Sequence, residues 1–250
     1  MVRCALLAMT MLVACARPSA PVAPCPAATT PAPPALTSPL DATARAEWDA
    51  LRAAKTPPPD AAARVPTLEA MLAATDPAVR DGLGYELLAR WLQADGALDA
   101  ATVRGLRDRL VARTAGPIVA GDAVFARSFA ALVLSVVTAR EVAAPTWTAA
   151  ELDAQVTAAA AYAARETDLR GFTGASGWAH AAAHTADWMK FLARHPALTA
   201  AQAATLLDGV TALVARGHGV RLSHGEDERL AAAVRAVARR DLLDDAALDR

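Results

Sequence analysis

Two histidines and an aspartate fall on successive helical turns in the run Gly177-Trp178-Ala179-His180-Ala181-Ala182-Ala183-His184-Thr185-Ala186-Asp187. If the run is one helix from Gly177 to His195, His184 lies about 40° from His180 and Asp187 about 20° to the other side. One stripe then carries two imidazoles and a carboxylate, with alanines leaving space around them. Histidines at i and i+4 can share a divalent metal, and a carboxylate one turn on can complete a facial set. Glu166 or Asp168 would serve as a further ligand, outer partner or base if the preceding loop folds back. The chemistry this supports is metal-dependent hydrolysis. The zinc-protease pattern is not met, because Ala181 stands where a glutamate must follow the first histidine. The same three side chains can also form a closed polar network that fixes helix register, or a pocket that binds a ligand without metal.

The flanking residues carry similar alternatives. Glu166, Asp168 and Arg170 precede a glycine-bearing loop and either line a charged pocket or pair among themselves. Gly171, Gly174 and Gly177 permit left-handed backbone, but no strand precedes them, so they do not form a phosphate-binding loop. Trp178 joins the candidate ligand-binding set. Its helical phase, about 160° from His180, nevertheless favours a core position over a ligand platform. Arg127-Ser128 interrupts an otherwise apolar helix. A buried arginine must be paired, and an acid from residues 166–187 is the expected partner. Glu226, Asp227 and Glu228 open a late helix, where acids suit the helix dipole. The sequence contains no nucleophile elbow, Walker loop, CxxC pair or nucleotide fingerprint.

The elements that must position these residues read as helices throughout. Expected spans are 42–55, 67–74, 76–94, 100–115, 122–140, 148–166, 177–195, 199–216 and 226–240. Asp76-Pro77 supplies an N-cap followed by proline at the first helical position. Pairing of the helices at about 40-residue spacing, and the HEAT-type start Asp76-Pro77-Ala78-Val79-Arg80, predict an all-α solenoid of irregular HEAT-like hairpins. A compact helical bundle is the alternative.

The N-terminal segment carries an address. Met1-Val2-Arg3 is a short positive start, and Cys4 to Ala14 is an apolar run too short to span a bilayer. It ends Leu12-Val13-Ala14-Cys15, the pattern of a bacterial lipoprotein signal. Residues 1–14 are expected to be removed and Cys15 to receive lipid. Residues 15–40 form a proline- and alanine-rich tether that cannot bury enough apolar surface to order itself. Extended, it reaches about 75 Å from the bilayer. Residues 41–250 are then one helical domain held to a membrane, with the periplasmic face of an outer membrane favoured by Ala16. Cys25 has no intramolecular partner once Cys4 is removed and Cys15 is modified.

The full chain has 25 basic and 26 acidic residues, for a net charge of −1. That balance supplies no basic field for nucleic acid. The expected partners are the membrane, through Cys15, and a protein or small-molecule ligand in the envelope.

The residues singled out above also carry a resemblance. Arg127-Ser128-Phe129, Asp168-Leu169-Arg170-Gly171-Phe172, Gly177-Trp178-Ala179-His180 with His184 and Asp187, and Glu226-Asp227-Glu228-Arg229-Leu230-Ala231 together resemble a bacterial family catalogued as domain of unknown function 2785. The resemblance covers roughly the last half of the chain. It implies a helical, HEAT-like fold and a common site for these residues, and it supplies no activity. The lead reading is an envelope lipoprotein that binds a partner or ligand on a face carrying Arg127, Arg170, His180, His184 and Asp187. The second is a metal-dependent hydrolase using His180, His184 and Asp187.

Overall fold

A computed structural model describes residues 40–217 and 222–244. The signal, Cys15 and nearly all of the tether lie outside the described residues. Within them the architecture is all-α: α1 (Ala42–Ala53), α2 (Ala61–Met71), α3 (Pro77–Val79), α4 (Glu86–Gln93), α5 (Ala100–Ala115), α6 (Ala123–Ala143), α7 (Ala149–Arg165), α8 (Ala181–Ala193), α9 (Ala200–Arg216) and α10 (Glu226–Ala238). Extended pairing among the described residues is a single isolated bridge, Phe172 with Trp178.

Sequence chemistry explains most boundaries. Asp41, Asp76 and Asp99 each accept a main-chain N–H of the helix they cap. Thr148 with Glu151, and Thr199 with Gln202, form reciprocal capping boxes that start α7 and α9. The expected span 67–74 is corrected: α2 begins at Ala61 and runs through Pro66. Burial of Ala61, Val65 and Leu68 against the core outweighs the lost proline hydrogen bond. The span 76–94 is also not a uniform helix. Arg80–Tyr85 is π-helical between α3 and α4. The extra residue per turn shifts every later side chain around the axis.

Helices two apart in sequence stack: α6 on α8, α8 on α10, α7 on α9 and α5 on α7, with α5 also against α6. The core of this stack is α6. Its length and mean hydropathy of 1.5 would suit a membrane span, but its neighbours bury most of it. Leu68, Leu88, Trp91, Leu134, Trp188 and Leu206 extend the same core across the helices.

Buried charges cross between elements. Arg80 is fully buried, and its guanidinium donates to the Ala74 and Ser176 carbonyls at 2.9 and 2.7 Å. It also lies 4.0 Å from the Phe125 ring centroid and 4.8 Å from that of Phe129. One cation therefore joins the π-helical segment, α6 and the loop before α8. Gly177 touches it: a Cβ there would meet the Pro77 side chain at 3.0 Å and the guanidinium at 3.1 Å, on a backbone at φ +72°. Replacing Arg80 with methionine keeps bulk but leaves those carbonyls unpaired. We expect a loss of about 3 kcal/mol, read as a lower urea midpoint at unchanged denaturant slope.

Candidate functional site

The predicted helix from Gly177 does not form. Residues 171–180 instead make a pinned, irregular hairpin. Ala179 N–H donates to the Gly171 carbonyl at 2.9 Å, His180 N–H to Arg170 at 3.0 Å, and Thr173 N–H to Gly177 at 2.7 Å. Gly174–Ser176 is one 3-10 turn. His180 is left-handed at φ 48°, and α8 begins after it. Non-glycine residues rarely hold that conformation, which costs of order 1–2 kcal/mol.

This turn changes the geometry expected of the histidines. The His180 and His184 rings meet edge to face with centroids 5.8 Å apart, rather than facing one point as stacked neighbours on a helix. Asp187 faces elsewhere. Its Oδ1 accepts from Lys190 Nζ and its Oδ2 from Arg229 Nη1, both at 2.5 Å. Among the described residues, no group of three or more His, Cys, Asp or Glu side chains is arranged to hold a metal ion. The expected His180/His184/Asp187 metal set is thereby corrected, for two reasons: a left-handed residue breaks the stripe, and two cations occupy the carboxylate. The open face carrying Arg127, Arg170, His180, His184 and Asp187 is corrected as well. Of these only Arg170 is exposed.

His184 sits in the interior as the sequence allowed for a polar network. Its Nδ1 lies 2.7 Å from Ser128 Oγ, and the Ser128 hydroxyl donates to the Ala179 carbonyl. A hydroxyl has one hydrogen, so His184 Nδ1–H is the donor to Ser128. Ser128 is therefore a fully buried link and not an activated nucleophile. Burial holds the His184 imidazole well below the usual histidine range; His180, Arg229 and Arg80 push the same way, and Ser128 opposes.

The Arg127 expectation holds. Its Nε donates to Glu166 Oε2 at 2.8 Å and its Nη2 to Oε1 at 3.2 Å, with both residues buried. Glu166 also receives the Tyr162 hydroxyl and the main-chain N–H groups of Thr167 and Asp168. Burial alone would raise its carboxyl; Arg127 and the Asp168 N–H overcome this and bring it below the ordinary range. Glu166 thus ends α7 and has no capacity left as a base or ligand. Asp168 and Arg170 pair with each other through two oxygens, at 2.9 and 2.6 Å, rather than opening a charged pocket.

Trp178 overturns its helical-phase assignment. It is 39% exposed and stacks on His180, with centroids 4.4 Å apart and an interplanar angle of 25°. Phe172, 52% exposed, stands steeply against it at 4.9 Å, and His224 does so at 5.4 Å. Beneath them His180 Nε2 is buried without a hydrogen bond among the described residues, 3.4 Å from Glu226 Oε1. Gly171 presses on the same group: a Cβ there would come within 2.5 Å of His224 Nδ1 and 2.6 Å of Glu226 Oε1.

A continuous series of rings connects this patch to the interior. It runs Trp178, His180, His184, Phe129 and Tyr85, with neighbouring centroids 4.4 to 6.4 Å apart. Sequence reasoning singled out neither His224 nor Tyr85, and no pattern marks them: one precedes a helix and the other follows a π-helical turn. A separate cavity of about 450 Å³ lies between the ends of α4 and α6, lined by Leu92, Asp95, Ala139 and Arg140 among others. Arg140 there already donates to the Leu92 and Leu98 carbonyls, and none of the candidate residues reaches it.

Two outcomes follow from these buried groups. Replacing Glu166 with glutamine leaves Arg127 without its counter-charge, and thermal unfolding is expected to show a loss of about 3 kcal/mol. Replacing both Arg127 and Glu166 with apolar residues should cost less than the single change. Histidine sets the pH dependence. Unfolded His184 takes a proton below about pH 6.5, but the folded residue stays neutral. Stability present above that pH is therefore lost as the pH falls, by about 1.4 kcal/mol per pH unit for this group. His184→Asn keeps a donor to Ser128 and should remove that part of the slope in urea unfolding between pH 5 and 6.

Comparison with known proteins gives the chain a family and no activity. No curated protein and no solved structure matches the chain. One family model does, over residues 119–250, which include Arg127, Glu166, the pinned hairpin, α8 and α10 but not Arg80 or Tyr85. Covering more than half of the sequence, that match makes this chain a member of the family described as Protein of unknown function (DUF2785).

Proposed function

We propose that this protein is a binding module of the bacterial cell envelope, held by a lipid on Cys15, that recognises its ligand on the aromatic surface formed by Phe172, Trp178 and His224. One observation carries the recognition surface. The chain spends a left-handed histidine, a pinned hairpin and a tight glycine to hold two large aromatic rings in solvent. Exposed aromatic side chains that the fold immobilises offer contact area at little entropic cost, which is how binding surfaces are built. Arg127, Glu166, Ser128 and His184 support that surface from within. The anchor is supported by the Leu12-Val13-Ala14-Cys15 pattern and the proline-rich stretch that follows it.

Two experiments test these parts separately. Cys15→Ser should abolish incorporation of labelled palmitate; full labelling of that variant would remove the anchor. For the surface, Trp178→Phe assigns the Trp178 indole signal in the NMR spectrum of the full chain. A fraction of envelope small molecules is expected to shift that signal and to leave Trp91 and Trp188, both buried, unmoved. If no fraction shifts it, the surface is not a recognition site.

A further inference from the structure

We propose that the Phe172–Trp178–His224 surface binds an organic ammonium cation, a ligand class that rests on the recognition surface argued above. The first ground is how this chain treats its other partly exposed tryptophan and phenylalanine rings. Trp147 carries the Arg107 guanidinium at 5.4 Å, and Phe191 carries Lys190 at 4.9 Å and Arg194 at 5.1 Å. Even Trp48 has Arg64 over it at 5.5 Å. The most exposed pair, Phe172 and Trp178, carries no lysine or arginine among the described residues. Two nearby cations among the described residues are committed elsewhere: Arg170 to Asp168 and Arg229 to Asp187.

The second ground is the charge behind the rings. Glu226 is 1% exposed, and among the described residues no lysine or arginine pairs with it. Its Oε2 accepts the His224 N–H at 2.8 Å, and its Oε1 lies 3.4 Å from a His180 nitrogen that makes no hydrogen bond among the described residues. A buried carboxylate needs compensation. Its place in the first turn of α10 gives part of it, through the helix dipole. The His180 imidazole lies between this carboxylate and the Trp178 indole stacked on it. Asp227 and Glu228, both exposed, add negative charge on the same turn. A π face is attractive to cations, and acids behind and beside it strengthen that attraction. A quaternary or alkylated ammonium, weakly hydrated and partly apolar, matches exposed rings over an acid better than a neutral or anionic group does.

The test is calorimetric titration of the full chain in a maltoside detergent with choline and with 3,3-dimethylbutan-1-ol, its uncharged isostere. Choline should bind saturably and the alcohol about tenfold or more weakly. Trp178→Ala, and separately Asp227→Asn with Glu228→Gln, should each weaken choline; the second pair lies on the surface and leaves the core intact. Glycerophosphocholine binding as tightly as choline would assign a lipid headgroup, and preference for choline would assign a free cation. Equal affinity for the alcohol would overturn the cation while leaving an apolar recognition surface in place. Choline binding indifferent to Trp178→Ala would place the cation elsewhere and overturn the proposal. Absence of binding to either compound would also overturn it, and the indole shifts by envelope fractions would then decide the surface on their own.

Discussion

The Ser128 hydroxyl stands where three parts of the molecule meet. It donates to the carbonyl of Ala179 and accepts from His184, so α6 holds the hairpin that precedes α8 and the first turn of α8 itself. Because the carbonyl it fixes belongs to the residue before His180, it sets the point at which extended chain turns into helix. The left-handed His180 is the cost of that turn. Had α8 begun at Gly177, His180 would have lain about 40° from His184 on one helical face and Trp178 about 160° from His180, without the stacking of the two rings. The exposed rings therefore depend on a buried hydroxyl.

Around that point the fold solves the same electrostatic problem several times. Arg127 meets Glu166, Glu69 meets Arg109 at 2.8 Å, and Asp187 meets Lys190 and Arg229. Arg80 spreads its donors over carbonyls and its face over two rings. In each case the group lost to water regains partners of matching geometry, which is the condition for keeping charge in a low-dielectric interior. Among the described residues Glu226 departs from the pattern, with a main-chain donor and the His180 ring beside it and no lysine or arginine paired to it. It lies under the aromatic surface. A departure from local satisfaction at such a place is where function is expected to have displaced stability.

Much of this was legible beforehand. Helical periodicity and capping residues located α5, α7 and α9 to within a residue or so, because caps and apolar phase act over one or two turns. The Arg127 partner was also readable, since a charge in an apolar helix demands an opposite charge and residues 166–187 offered few acids. The start of α8 was not. Residues 177–180 have no strong helix breaker after Gly177, and what stops them is hydrogen bonding to Ser128 and to their own loop. The errors about His180 and Trp178 descend from that boundary, because each removed helical residue rotates the inferred face by about 100°. Asp187 was misassigned for a different reason: Arg229 is 42 residues away in sequence.

The sequence by itself determined the all-α class, most helix ends, the need to pair Arg127, and membership in a family defined over the C-terminal half. Those properties follow from short-range rules: periodicity, caps and the energy of burying charge. Tertiary structure alone decided which groups share a place. It turned a presumed metal stripe into a sealed imidazole–hydroxyl link and an ion pair, and it brought a tryptophan assigned to the core into solvent beside Phe172 and His224. Contacts between α6, α8 and α10 join residues tens of positions apart, and no local pattern records which of them will meet.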